Sequence, residues 1–292
     1  KKIAPIAVRV NPNVSAKTHS KITTGTYENK FGIQFEHVEA VYSRASKLKN
    51  IRLRGVQMHI GSQLTDVTPY ELAVKKVLPL VKKLAAKYQL EFFSPGGGLG
   101  IIYQPALASG SAAWWKSSAA KNILTPASYA EKLLPLLQPL GLKILIEPGR
   151  FIVGNAGALI TTVEYVKRTG KKNFVIVDAA MNDLIRPAFY DSYHEIVPLV
   201  KKSGAPVSSD VVGGICESGD YFCKDRPLAK VGEGDRLALL SAGAYGFVMA
   251  SNYNTRPLAA EVLVNDKKFA VARERQAVKD VWAGEKVVAW LK

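Results

Sequence analysis

The sequence predicts an α/β fold, a parallel sheet that is closed or open, followed by a mainly antiparallel β domain. Two observations predict it. Over the first half, short apolar runs rich in β-branched residues each end in a polar or glycine-rich turn, and they alternate with segments of helical spacing. From about Leu159 closely spaced strands take over, separated by Gly, Pro and Asp turns.

The elements follow in order. Ile6 to Val10 reads as a first strand. Glu36 to Leu48 places Val38, Val41, Tyr42, Ala45 and Leu48 on one face and reads as a helix. A strand from Gly55 to Ile60 precedes a second helix, Leu72 to Tyr88, in which Pro79 is expected to impose a kink. Glu91 to Ser94 forms the next strand before Gly96. Ala106 to Asn122, rich in Ser and Ala around Trp114-Trp115, reads as a surface excursion. Thr125-Pro126 supplies an N-cap and first-turn pair for a third helix through Leu134. Ile144 to Ile146 is the last strand of this set. In the second part, strands are expected at Ile160 to Val166, Phe174 to Val177, Asp210 to Gly213, Arg236 to Leu240 and Glu261 to Val264.

With 292 residues and 48% apolar content, the chain can bury a large core and is expected to form two domains. No apolar run approaches the roughly 20 residues of a membrane span and no leader pattern opens the chain, which reads as soluble and cytoplasmic. Cys216 and Cys223 form neither a disulfide framework nor a zinc knuckle, so no metal is expected. The formal charge of +16 raises the question of nucleic acid. Its lysines, however, lie in scattered pairs such as Lys75-Lys76 and Lys201-Lys202, without interleaved stacking aromatics. A solvated surface with some attraction for small anions is the favoured reading.

Six motifs are candidates for chemistry. Glu147-Pro148-Gly149-Arg150 sets a carboxylate beside a guanidinium at the end of what reads as a buried strand, where an ionised group needs a partner. A protonated ring nitrogen is one such partner. Gly96-Gly97-Gly98 after a strand can cradle a phosphate or serve as an ordinary tight turn. His59-Ile60-Gly61-Ser62-Gln63 puts an imidazole and a hydroxyl at another strand end, the position barrel enzymes use for their sites, although a rim histidine is the plainer reading. Arg186 and Tyr190 share a helix face, suited to gripping a carboxylate or to a surface arginine over a ring. Cys216-Glu217-Ser218-Gly219-Asp220 embeds a thiol among polar groups, which favours proton donation or substrate contact over packing. Tyr245, in Ala242-Gly243-Ala244-Tyr245, adds a phenol that by itself could be a packing feature.

Together with Arg9-Val-Asn-Pro12 and Glu28-Asn-Lys-Phe-Gly32, these motifs resemble the diaminopimelate decarboxylase family, pyridoxal-phosphate enzymes of the alanine racemase and ornithine decarboxylase fold group. The resemblance runs from about Val8 to Arg275, and the Cys216 to Asp220 and Asn182 to Tyr190 segments are its most specific part. It implies a (β/α)8 TIM-like barrel, of which about the second half occupies residues 1–155, and a β-rich C-terminal domain at 156–292. It also implies pyridoxal 5′-phosphate as cofactor, meso-2,6-diaminopimelate as substrate, L-lysine as product, and a homodimer with shared sites.

Residue by residue, the resemblance stacks His59 on the cofactor ring and puts Ser62, Gly97, Gly98, Gly149 and Arg150 at or near its phosphate. Glu147 keeps the ring nitrogen protonated and Tyr245 contacts the cofactor. Arg150, Arg186 and Tyr190 bind the substrate's distal carboxylate and Glu217 its distal ammonium. Cys216 is the proton donor, and it and Glu217 reach across from the partner subunit. The sequence departs from the family in lacking its Tyr-x-x-Lys-Ala lysine motif, so about half the barrel is expected to be absent. It also carries Ser94-Pro95 where an aspartate is usual, which weakens any polar contact expected there, and it is unusually basic. A non-catalytic homologue acting as a binding or regulatory protein and a related decarboxylase of a basic amino acid or polyamine precursor are the competing readings.

Overall fold

A computed structural model describes residues 2–15, 25 and 30–291. Glu28 and Asn29, the start of one resemblance motif, lie outside the described residues. The chain divides into two units, residues 1–101 with 108–153, and residues 102–107 with 154–292.

Unit 1 is built on a five-stranded parallel sheet in the order β2-β1-β3-β4-β5. Its strands are β1 (Ala4–Asn11), β2 (Ile33–Gln34), β3 (Ile51–Met58), β4 (Phe92–Gly97) and β5 (Lys143–Glu147). Helix α1 (Val38–Ala45) links β1 and β2 to β3, and α2 (Thr68–Tyr88) runs without interruption through Pro79 between β3 and β4. Short turns α3 (Ala106–Ser109) and α4 (Ala112–Trp115) lie in the predicted excursion, and α5 (Pro126–Leu137) leads to β5. This strand-helix alternation is the partial barrel the resemblance implies. Thr125 caps α5 as expected: its hydroxyl accepts from the Ser128 amide at 3.1 Å, while Ser128 Oγ accepts from the Thr125 amide at 2.9 Å.

The apolar stripes of α2 and α5, including Val74, Val77, Val81, Leu133 and Leu137, close over Val56, Met58 and Phe93 of the sheet. Two buried tyrosines tie helix to strand: Tyr42 Oη donates to the Gly55 carbonyl at 2.7 Å and Tyr70 Oη to the Gly97 carbonyl at 3.0 Å. Burial raises the pKa of both phenols, so both remain donors.

One expectation needs correction. The strand that ends in Glu147 is not buried: β5 is the edge of the sheet, paired among the described strands with β4, and Ile146 is 54% exposed. Its apolar run reads like a central strand because composition does not distinguish an interior position from an edge.

Unit 2 carries the second sheet. Helix α6 (Gly149–Val153) closes unit 1, and β6 (Leu159–Arg168) opens a six-stranded sheet in the order β10-β9-β7-β6-β11-β8. The remaining strands are β7 (Asn173–Val177), β8 (Ile196–Pro198), β9 (Val207–Val212), β10 (Tyr221–Leu228) and β11 (Arg236–Leu239). All pairs are antiparallel except β7 with β9. Alternate residues Val175, Val177, Val211, Phe222, Leu237 and Leu239 form its core. Helix α7 (Arg186–Tyr190) follows β7, and a separate ribbon of β12 (Glu261–Asn265) and β13 (Lys268–Arg273) precedes α8 (Val278–Val281). β10 was not expected, because charges and Pro227 obscure its alternation; proline is tolerated on an edge strand, and β10 is the edge. No helix among the described residues is long and apolar enough to cross a membrane.

Candidate active site

In unit 1 the predicted residues gather where parallel strands end. Register sets Gln57 opposite Ser94 and Gly97 opposite Glu147, so three side chains from three strands converge. Ser94 Oγ donates to Glu147 Oε1 at 2.7 Å, and Gln57 Nε2 lies 3.1 and 3.2 Å from the two carboxylate oxygens. Ser94 is buried and also accepts from the Gly96 amide at 3.1 Å, which fixes its hydroxyl proton toward Glu147. Sequence reading missed Gln57 and discounted Ser94; both are polar residues inside strand patterns, which was the one available signal.

His59 sits just beyond β3, partly buried, and its Nδ1 accepts from the Gly97 amide at 3.1 Å. A neutral ring then carries its proton on Nε2. Burial lowers its pKa, the Arg9 guanidinium lowers it further, and Glu147 opposes both. Arg9 in turn donates to the His59 carbonyl at 3.2 Å.

The glycine run makes close packing its first task. A side chain at Gly97 would overlap the Glu147 carbonyl, and one at Gly98, where φ is +96°, would overlap the Gly61 carbonyl. The Gly96 and Gly97 amides are held by Ser94 and His59. Arg150 is buried at the start of α6, and its Nη2 donates to Ser62 Oγ at 3.0 Å, while Gly149 beside it is exposed. Glu147 and Arg150 are therefore held by different partners. A cavity of about 430 Å³ behind the run is lined by Tyr70, Tyr129, Leu133, Ile144 and Phe151. Its apolar walls do not suit a charged ligand.

Unit 2 places its candidates on a short helix and on loops. Arg186 opens α7 and is buried, with Tyr190 partly buried on the same helix. Arg186 Nη1 donates to Tyr103 Oη at 2.7 Å and lies 3.2 Å from His194 Nε2, and Nη2 donates to Ser192 Oγ at 3.1 Å. Cys216 and Glu217 are exposed on the β9–β10 turn, whereas Cys223 is buried and burial raises its pKa. Glu217 Oε1 accepts from the Gly219 amide at 3.0 Å.

Asp220 organises this region. Its two oxygens accept from the amides of Met181, at 2.7 Å, and Ile215, at 2.8 Å, so one buried carboxylate pins the loop before α7 and the loop carrying Cys216. Burial raises its pKa and those two amides pull it back. Asn182, also buried, accepts from Arg256 Nε at 2.9 Å. Tyr245 is 42% exposed with φ +58°, an uncommon conformation for a non-glycine residue.

The donors fit a pyridoxal phosphate. Ser62 beyond β3 and Arg150 beyond β5, 3.0 Å apart, offer a hydroxyl and a guanidinium to a phosphate, and the Glu147 carboxylate, at the end of β5, is available for a protonated ring nitrogen. His59 presents a flat ring that its surroundings hold neutral.

A family model described as the pyridoxal-dependent decarboxylase, C-terminal sheet domain matches residues 14–243. The chain is 47% identical over 289 residues to a diaminopimelate decarboxylase of Pseudomonas aeruginosa, covering 98% of this chain and 65% of the relative. With that of Aquifex aeolicus it shares 46% identity over 276 residues, covering 94% of this chain and 62% of the relative. The chain thus spans a little under two thirds of the length of these relatives. Among solved structures, diaminopimelate decarboxylase of Helicobacter pylori complexed with L-lysine aligns with a TM-score of 0.86 at 41% identity, covering 97% of this chain and 67% of that one. The enzyme of M. jannaschii in co-complex with L-lysine aligns with a TM-score of 0.87 at 36% identity, covering 100% and 65%.

Proposed function

The chain belongs to the pyridoxal-dependent decarboxylase family, and from that premise we propose that its protein converts meso-2,6-diaminopimelate to L-lysine and carbon dioxide. The observation that carries the reading is identity of 46–47% to diaminopimelate decarboxylases over 94–98% of the chain. Pyridoxal phosphate, when bound, supplies the electron sink for the pair left behind by carbon dioxide.

Each residue has a task on this reading. Glu147, held by Ser94 and Gln57, keeps a proton on the ring nitrogen. His59 lies against the ring, and Ser62, Arg150, Gly97, Gly98 and Gly149 surround the phosphate. Arg186, Tyr190 and Arg150 take the distal carboxylate and Glu217 the distal ammonium. Cys216, exposed on its turn, delivers a proton to the carbon that loses carbon dioxide. Tyr245 touches the cofactor. The working form is a cytoplasmic homodimer in which Cys216 and Glu217 serve the partner's site.

The test is product analysis with the full-length protein and pyridoxal phosphate. Equal amounts of L-lysine and carbon dioxide from meso-diaminopimelate, with no turnover of ornithine or lysine, are expected. Turnover of ornithine in preference to the diacid would reassign the substrate, and no turnover of any of them would remove the activity.

A further inference from the structure

We propose that His194 is a positioning residue for Arg186, a role that rests on the reading of Arg186 as the reader of the substrate's distal carboxylate. His194 is fully buried. Its Nδ1 lies 2.8 Å from the Leu240 carbonyl oxygen, which can only accept, so Nδ1 carries a proton. Its Nε2 lies 3.2 Å from Arg186 Nη1, which can only donate, so Nε2 is the acceptor. Both contacts are satisfied together by one species, the neutral ring protonated on Nδ1. A second proton on Nε2 would turn the ring into a donor facing a guanidinium.

The consequence falls on Arg186. Tyr103 Oη and His194 Nε2 take the two hydrogens of Nη1, and Ser192 Oγ takes one from Nη2. The plane of the guanidinium is thereby set, which matters because paired hydrogen bonds to a carboxylate depend on that plane. The Tyr103 ring stands edge-on to His194, at 5.4 Å and 82° between planes, and the Arg186 guanidinium lies 5.0 Å from the Tyr103 ring centre. Tyr103, Ser192 and the neutral His194 are uncharged, so this cage of three contacts orients Arg186 and does not itself neutralise it.

The experiment uses full-length enzyme loaded with pyridoxal phosphate. His194→Asn keeps a donor for Leu240 but is too short to reach Arg186, whereas His194→Gln returns an acceptor oxygen to the place of Nε2. His194→Asn should raise KM for meso-diaminopimelate about tenfold or more while kcat stays within about threefold, the scale of one hydrogen bond to a charged group. His194→Gln should recover most of it, and His194→Asn should add nothing in an Arg186→Ala background. Equal losses from Asn and Gln, or a full additive loss on top of Arg186→Ala, overturn the positioning role alone. An unchanged KM for Arg186→Ala itself overturns the substrate assignment and this role with it. Where His194→Asn yields no cofactor-loaded enzyme, Tyr103→Phe, which deletes the other Nη1 acceptor, is read in the same cycle; a raised KM supports the cage and an unchanged KM overturns it.

Discussion

In unit 1, Gln57, Ser94 and Glu147 meet because three parallel strands run in register, whereas in unit 2 Arg186 at the start of α7 and Cys216 on a turn are placed by loop segments that the carboxylate of Asp220 and a few buried polar groups hold. The first arrangement is as stiff as the sheet. The second depends on individual hydrogen bonds, each replaceable without touching the sheet core. Changes that press on the strand register of unit 1 should therefore act through stability of strand packing, and changes in unit 2 through loop placement.

The largest effect should come from Gly97→Ala. The added methyl would overlap the Glu147 carbonyl across the β4–β5 pair, and overpacking of this kind costs up to about 3 kcal/mol. Chemical denaturation should show it directly; a midpoint like that of the parent would mean that β5 moves aside, and that register does not set the site.

Asp220→Ala tests the other region. Leaving the Met181 and Ile215 amides without their acceptor should cost about 2 kcal/mol and lower kcat, since both candidate loops loosen. Hydrogen exchange should increase at those two amides and leave the β6–β7 pair protected. Exchange that rises uniformly across the sheet would show that unit 2 is as cooperative as unit 1.

Ser94→Ala removes one donor from Glu147 and should lower activity about fivefold, corresponding to about 1 kcal/mol, with little loss of fold. Gln57 remains in place. Full activity would show that Gln57 alone holds the carboxylate.

The smallest effect is a pH dependence. The folded His59 ring resists protonation, so below its unfolded pKa of about 6.5 the unfolded chain binds a proton that the folded one does not. Stability contributed by this residue is complete above that pH and is lost as pH falls through it, until the folded ring also titrates. His59→Asn keeps an acceptor for the Gly97 amide without titrating and should show a shallower fall in stability between neutral pH and about pH 5. Identical slopes for the two proteins would place the titration elsewhere.

Much of this was legible in the chain. The strands Ala4–Asn11, Ile51–Met58 and Phe92–Gly97 and the helices α2 and α5 follow from apolar period and caps, which adjacent residues encode. Glu147, Arg186 and Cys216 stood out because charged or reactive side chains sat at turn positions. Gln57 and Ser94 did not, because their meaning lies in a carboxylate 90 and 53 residues away. The edge position of β5 was equally invisible, since an edge is defined by strand order rather than by the strand itself.

The sequence by itself determined the strand-helix alternation of unit 1, most strands of unit 2 and the family, because local periodicity and motif spacing are properties of neighbouring residues. Tertiary structure alone decided which oxygen Ser94 faces, which loops Asp220 joins and which tautomer His194 must hold. Those depend on strand register and on partners such as Glu147, Met181 and Leu240, 39 to 53 residues away, which no local pattern specifies.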